Sequence, residues 1–418
     1  MKLSTASLAK KLTLAGVVAA LVAGCGSNGG GTVSDGDLKG EPIKLGSILT
    51  ITNPAWGNQV MKDVNDAFTS YINKDLGGID GRPVSVETCD DHGDPAKTSQ
   101  CLNNLLDSGV VAFVNNSSLA FGANALPAME KAGLVNVGGW PVTPAEYASD
   151  HEFLTAPGAS GSYPSLAAYF RSRGAETLAM MYQNTPAGQT AADDIKAFWS
   201  SIGGTTFTGV EFDPTAPDFT PAVSKAVAGK PDAIILAVGE GPAPRLFQAL
   251  DVSNTDAMIG VTAAAGGKKV QDAAGAALDG VYFSVAAVPA DYDREDARTY
   301  SKVMKEYSPE TELNNQAAVA ASGMMAIYDI LKGISGEISK ASVLAAVQKT
   351  TTWDGFLTHG YDRSKAPKEL PAVGNPFNLV TNYQGGKFSP AEIKEPGAVA
   401  RYLEVDGELT WISGSPTS

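Results

Sequence analysis

Along the first hundred residues the spacing of apolar positions changes period twice. Ile43-Lys44-Leu45-Gly46-Ser47-Ile48-Leu49 reads as a strand that ends in a turn through Asn53, Pro54, Ala55, Trp56 and Gly57. Val60, Met61, Val64, Phe68, Tyr71 and Ile72 then recur at helical spacing, which puts one apolar stripe on a helix. Gly77 supplies a left-handed stop, and after Pro83 the residues Val84, Val86 and Thr88 alternate as a strand does. Strand, helix, strand predicts a parallel pair with a crossover helix, in a sheet whose ligands collect at the carboxyl ends of the strands.

The same alternation continues down the chain. Asp94-Pro95 caps a helix running to about Leu106, Val110–Val114 is a buried strand, a helix spans about Phe121–Ala132, and Leu134–Val137 is the next strand. The two last strands end in Asn115-Asn116-Ser117-Ser118 and in Gly138-Gly139-Trp140. Hydroxyls and free backbone N–H groups at such ends suit a carboxylate or another small anion, although Asn, Ser and Gly are also ordinary turn residues. From Ser162 a second β/α series begins, with strands at Thr177–Met181, Thr205–Phe212 and Ala233–Val238, and with Val281–Val285 closing its sheet. Asn314–Gly333 is a mostly apolar helix that belongs in a core, and the tail from Trp353 is rich in Pro and Gly.

At 418 residues, 44% apolar and 18% charged, the chain is globular and too long for one core, so two domains are expected. Residues 1–24 carry Lys2, Lys10 and Lys11, an uncharged run from Leu12 to Ala23, and then Gly24-Cys25, the layout of a secretory signal. Leu21-Val22-Ala23-Gly24-Cys25 resembles a bacterial lipobox, which implies lipidation of Cys25, and residues 25–40 read as a flexible tether. The formal net charge is −14 and becomes more acidic once the signal is lost, so nucleic acid is not an expected partner. The other two cysteines, Cys89 and Cys101, are read as a disulfide. With Asp90, Asp91, His92 and Asp94 they also form a set that could hold a metal ion, but the spacing fits no common zinc pattern and no metal is assigned.

Reaction chemistry is missing. The chain has no nucleophile elbow, phosphate loop or zinc-protease motif, and His92, His151 and His359 are scattered over three segments. Asp90 and Asp91, as neighbours in a strand, are expected to point to opposite faces. The reading is a binder rather than an enzyme, with no cofactor.

Lys74-Asp75-Leu76-Gly77-Gly78-Ile79-Asp80-Gly81-Arg82-Pro83-Val84, followed by Asp90-Asp91 and Asp94-Pro95, resembles the substrate-binding proteins of branched-chain amino-acid ABC importers. Ser117-Ser118, Asp218-Phe219, Pro231-Asp232-Ala233-Ile234 and Gly280-Val281 extend the resemblance, which fades in the tail. It implies an α/β type I periplasmic-binding fold: two doubly wound parallel-sheet lobes joined by three hinge crossings. One lobe would hold residues 41–157 and 287–352, the other 158–286 and 353–418. Ser117, Ser118, Gly138, Gly139 and Trp140 would hold a ligand carboxylate. Trp56 would give an aromatic wall, and Ala187 would be a further ligand-facing position. Trp56 and Trp140 could equally cap the core.

Where the family has an acidic residue for a ligand ammonium, this chain has Thr262. Glu240, just after the Ala233–Val238 strand, is the nearest substitute in chain order, or else an acidic residue favouring the helix that starts at Pro242. The resemblance implies a monomeric, membrane-anchored extracytoplasmic protein that hands a small molecule to ABC permease subunits. A receptor feeding a sensor would share the fold.

Overall fold

The computed structural model describes residues 38–53, 57–366, 371–375, 377–390, 399–400, 402–405 and 408–411. The signal, Cys25, the tether up to residue 37 and Trp56 lie outside the described residues.

The first sheet contains β1 (Ile43–Leu49), β2 (Val84–Asp90), β3 (Ala112–Val114), β4 (Asn136–Val137) and β5 (Glu152–Phe153), in the order β2-β1-β3-β4-β5, all parallel. Its helices are α1 (Gln59–Lys74), α2 (Pro95–Ser108), α3 (Phe121–Asn124), α4 (Leu126–Lys131) and α5 (Pro144–Ala148). Side chains of β1 go to opposite faces, as the pleat requires. Leu45 and Leu49 join Met61, Val64, Phe68 and Ile72 of α1 in one core, and Ile48 joins Leu102 and Leu105 of α2 in another. The stripe on α1 is thus the buried face that the spacing predicts. The expected Phe121–Ala132 helix is instead two short ones, because Pro127 in the first turn of α4 has no N–H to continue the earlier helix. Strands β3 and β4 are shorter than their apolar runs, and β5 and α5 carry too few apolar residues to show in the pattern.

The second sheet contains β6 (Thr177–Gln183), β7 (Thr206–Phe212), β8 (Ala233–Ala237), β9 (Met258–Thr262) and β10 (Tyr282–Val285) as its parallel part. Helices α6 (Ser162–Ser172) and α7 (Pro186–Ser201) cover one face. The other face is covered by α8 (Thr220–Val227), α9 (Ala243–Val252) and α10 (Lys268–Ala274).

After β10 the chain forms α11 (Glu295–Tyr307), α12 (Asn315–Lys332), α13 (Lys340–Lys349) and the small antiparallel pair β11 (Thr352–Trp353) and β12 (Tyr361–Asp362). It then returns with β13 (Phe377–Gln384) and β14 (Lys387–Pro390) to the second sheet, whose order is β14-β13-β10-β9-β8-β6-β7. Strand β10 therefore does not close that sheet. β13 pairs antiparallel with it and covers an edge whose N–H and C=O groups would otherwise stand open. The apolar helix α12 lies in the first core against α1, and Phe356, Leu357 and Tyr361 pack there too.

Cys89 at the end of β2 and Cys101 on α2 are disulfide-bonded, with Cα atoms 5.6 Å apart and a sequence separation of 12. Both sulfurs are therefore committed, and among the described residues no group of His, Cys, Asp and Glu is arranged to hold a metal ion. Restricting so short a loop in the unfolded chain contributes about 2–3 kcal/mol. The Cys89→Ala/Cys101→Ala protein is expected to unfold at correspondingly lower urea than the oxidised protein, and equal midpoints would count against the bridge.

Candidate functional site

The carboxyl ends of β1, β2, β3 and β4 meet around two aspartates. Asp90 accepts hydrogen bonds from the Ile51 N–H at 2.9 Å, the His92 N–H at 3.0 Å, the Thr52 N–H and the Thr52 hydroxyl. Burial works to raise its pKa, but these bonds, the Thr52 hydroxyl foremost, hold its carboxyl below the usual range. Asp91 is fully buried and accepts from the hydroxyls of Thr50 and Thr98, each at 2.7 Å, from the Ser118 hydroxyl, and from the Gly93 N–H at 2.9 Å. The strand period that would send the pair to opposite faces of the sheet does not extend to Asp91. Asp90 is the last residue of β2 and Asp91 lies beyond it, so both grip the turn after β1.

Two loops sit beside that turn. Ser117 gives its N–H to the Ile48 carbonyl at 3.0 Å and its hydroxyl to the Trp140 carbonyl at 3.4 Å, while the Trp140 N–H bonds the Asn116 carbonyl at 3.2 Å. The structure therefore brings Ser117, Ser118, Gly138, Gly139 and Trp140 into one cluster. Within it the serine hydroxyls are already engaged, Ser118 with Asp91 and Ser117 with Trp140. What stays open is backbone: the N–H groups of Ser118 and Gly139 have no hydrogen-bond partner among the described residues, although both residues are buried. Native structures pair nearly all such groups, so two unpaired ones in adjacent loops mark a place for an acceptor. Trp140 is half-buried against the first core.

Gly139 has φ +97° and a Cβ on it would stand 2.3 Å from the Asn116 carbonyl, so the close approach of the two loops requires glycine there. Asn136, whose type gave no sign of its role in the sequence, holds both loops. Its Oδ1 accepts the Asn116 N–H at 3.2 Å and its Nδ2 donates to the Gly138 carbonyl at 3.0 Å.

On the second lobe, Thr262 is the last residue of β9, nearly buried, and its hydroxyl has no partner among the described residues. Glu240 is exposed and makes no hydrogen bond to α9, whose cap residue is Pro242. Its carboxylate lies instead beside Gly267, 2.7 Å from where a Cβ would be, with Glu312 at 3.2 Å from the same point. A cavity of about 280 Å³ opens there, lined by Ala263, Gly267, Phe283, Val285, Leu313 and Asn314 among others. Glu312 and Gly267 line this largely apolar cavity between the second sheet and the start of α12, and Glu240 lies next to Gly267 without lining it. Ser117, Ser118 and Trp140 do not line that cavity. Ala187 lies in the first turn of α7.

Residues 42–369 match the family model of the periplasmic binding proteins. The chain belongs to that family. A search of curated proteins returns no match. Solved structures resemble this periplasmic binding protein in fold. A branched-chain amino acid transporter substrate binding protein from Streptococcus pneumoniae, in complex with isoleucine, is 19% identical with TM-score 0.64, over 85% of this chain and 100% of that one. An extracellular ligand-binding receptor from Verminephrobacter eiseniae is 19% identical with TM-score 0.66, over 84% of this chain and 100% of that one. A fatty acid ABC transporter substrate-binding protein from Thermomonospora curvata is 16% identical with TM-score 0.65, over 86% and 94% of the respective chains. The α/β type I fold with parallel-sheet lobes is common to them. Family membership implies an extracytoplasmic location, and among the described residues no helix is long and apolar enough to cross a membrane.

Proposed function

We propose that the protein is the ligand-binding component of an ABC importer, tethered outside the cytoplasm through a lipid on Cys25, and that it acts by binding and release rather than turnover. It works as a monomer that presents one small molecule to permease subunits. The two lobes, 41–157 with 287–362 and 158–286 with the returning β13 and β14, close on that molecule, with Trp56 and Ala187 at the cleft. The observation that carries the reading is the pair of N–H groups, of buried Ser118 and Gly139, that have no partner among the described residues at the strand ends of a periplasmic binding protein. They suit a ligand carboxylate, because a charged acceptor makes the stronger hydrogen bonds.

The neighbours in fold are described with isoleucine and with fatty acid, and a carboxylate on an apolar body is common to both. Thr262 offers no charge to an ammonium, so Glu240, with Glu312 beside it, is the acidic group at that end. Because Glu240 is exposed, its contribution is of the order of 1 kcal/mol rather than that of a desolvated pair.

Thermal shift with isoleucine, asparagine, phenylacetate and succinate tests the proposal. A native-state ligand at a hundred times its Kd adds about 2.7 kcal/mol, which moves the melting point by several degrees. No shift with any of the four at millimolar concentration would argue strongly against an importer of small carboxylates. Calorimetry then separates the two ends: Glu240→Gln is expected to weaken isoleucine by about fivefold and leave phenylacetate unchanged. Equal affinity for isoleucine in both proteins would remove Glu240 from the site.

A further inference from the structure

The two loops that carry the open N–H groups are joined to the connection between the lobes by one buried carboxyl group. Glu152, on β5, stands opposite Asn136 in the β4–β5 ladder, and its Oε2 accepts from Asn136 Nδ2 at 2.6 Å. Asn136 uses its remaining capacity on the Asn116 N–H and the Gly138 carbonyl, so Glu152 is the third corner of the group that sets the spacing of the loops. Its other oxygen, Oε1, is buried with no partner among the described residues. One residue on, Phe153 stacks on Tyr361 with ring centroids 3.8 Å apart, and Thr155 gives its carbonyl to Asn375 Nδ2 at 2.7 Å. From there the chain leaves the first sheet for α6 of the second.

We propose that Glu152 is a positioning residue which, as a neutral acid, orients the Asn136 amide and through it the Asn116–Ser118 and Gly138–Trp140 loops. The proposal rests on the reading of those loops as the carboxylate subsite. A neutral carboxyl fits the geometry better than an ionised one: its carbonyl oxygen accepts from Asn136, and Oε1, which no donor meets, carries a proton in place of a full charge. An ionised one would leave a charged Oε1 without a donor.

The titratable groups around it offer no relief. Glu146 on α5 is itself buried and bonded to the Thr143 hydroxyl and N–H, and Glu130 on α4 accepts from Ser149 at 2.5 Å. In its own segment the ring of His151 bonds the Leu134 carbonyl and Asp150 lies 3.9 Å from that ring, while Tyr361 stacks on the neighbouring Phe153. No ion pair reaches Glu152 among the described residues. Burial first, then the Glu146 carboxylate, push its pKa well above the usual range.

The test follows the side-chain carboxyl of Glu152 and the amide signals of Asn116, Ser118 and Gly139 by NMR in the ligand-free protein from pH 5 to pH 9. In the wild type Glu152 is expected to be neutral at pH 5 with the three amides in place, and wherever in the range it ionises the three amides are expected to shift with it. In Glu152→Gln, isosteric with the neutral acid, they are expected to stay put over the whole range. An ionised Glu152 at pH 5, or amides that ignore its ionisation or titrate alike in both proteins, would overturn the proposal. If Glu152→Gln does not fold, the wild-type titration alone decides, because the carboxyl and the amides must share one midpoint.

The binding arm uses phenylacetate and its methyl ester. Where the acid binds better than the ester, wild-type affinity for the acid is expected to fall about tenfold or more as Glu152 ionises, while the Gln variant holds within about twofold. Equal binding of acid and ester would refute the carboxylate subsite and leave the NMR result to judge the positioning role by itself.

Discussion

Asp91→Ala is expected to lose about 3–4 kcal/mol of stability together with measurable ligand binding. The side chain is a carboxylate with no accessible surface that accepts from three hydroxyls and one N–H, and those donors belong to four separate pieces of chain. Thr50 is in the turn after β1, Thr98 in the first turn of α2, Ser118 in the loop after β3, and Gly93 in the turn after β2. A hydrogen bond to a charged group contributes about 1.5–3 kcal/mol, so the full sum would exceed what a single substitution removes. Water entering the vacated space offsets part of it. Asp91→Asn keeps the shape but can accept on one oxygen only, and about half the loss is expected. Urea denaturation of the three proteins orders them wild type, Asn, Ala. A midpoint for Asp91→Ala within error of the wild type would mean that the turns are held by packing alone.

This aspartate shows where the sequence was legible and where it was not. The stripe on α1 follows the helical period of 3.6, Asp94 before Pro95 is a cap signal, and β6 and β8 are continuous apolar runs bounded by turns, and all of these are visible without a structure. Strand β5 and helices α5, α11 and α13 were not read from the pattern. The first two are two and five residues long, and α11 has only four buried residues among charged ones. The resemblance puts the tail with the second lobe, but the pairing of β13 with β10 is not legible: the two strands lie about a hundred residues apart, and nothing local encodes that partner.

In the site, Ser117, Ser118, Gly138 and Gly139 stood out because they end strands. Their serine hydroxyls face inward because Asp91 and the Trp140 carbonyl claim them, a matter of tertiary contact. Asn136 and Glu152 carried no signal, since one Asn and one Glu in short strands look like surface residues until burial is known. For Glu240 the sequence leaves two roles open, and its carboxylate stands beside Gly267 at the start of α10, near Glu312, without capping α9.

Gly323→Ala is expected to cost about 2–4 kcal/mol, although in an exposed helix the same change would gain about 1 kcal/mol from helix propensity. Gly323 lies in the middle of α12, and a Cβ there would stand 1.9 Å from Asn115 Oδ1 and 3.0 Å from the Gly138 Cα. The asparagine cannot swing aside. Its backbone is in the left-handed region at φ +54°, and its Nδ2 is held by Asn65 Oδ1 at 2.7 Å and by the Ala320 carbonyl at 2.8 Å. Nor can Gly138 retreat, because it has φ +75° and a Cβ on it would itself come within 2.5 Å of Gly323 Cα. Helix, asparagine and glycine turn therefore meet backbone to backbone, and an added methyl must push α12 off the loops that carry the open N–H groups. Loss of stability and loss of affinity should appear together.

The clash with the amide is separable from general overpacking. Asn115→Ser in the Gly323→Ala background removes the atom that the methyl meets, and it should recover part of the loss even though Asn115→Ser alone destabilises by giving up two hydrogen bonds. The coupling energy read from that double-mutant cycle is expected to be at least about 1 kcal/mol and favourable. A coupling near zero, with Gly323→Ala as stable as the wild type, would mean that α12 does not rest on the Asn115–Gly138 turn.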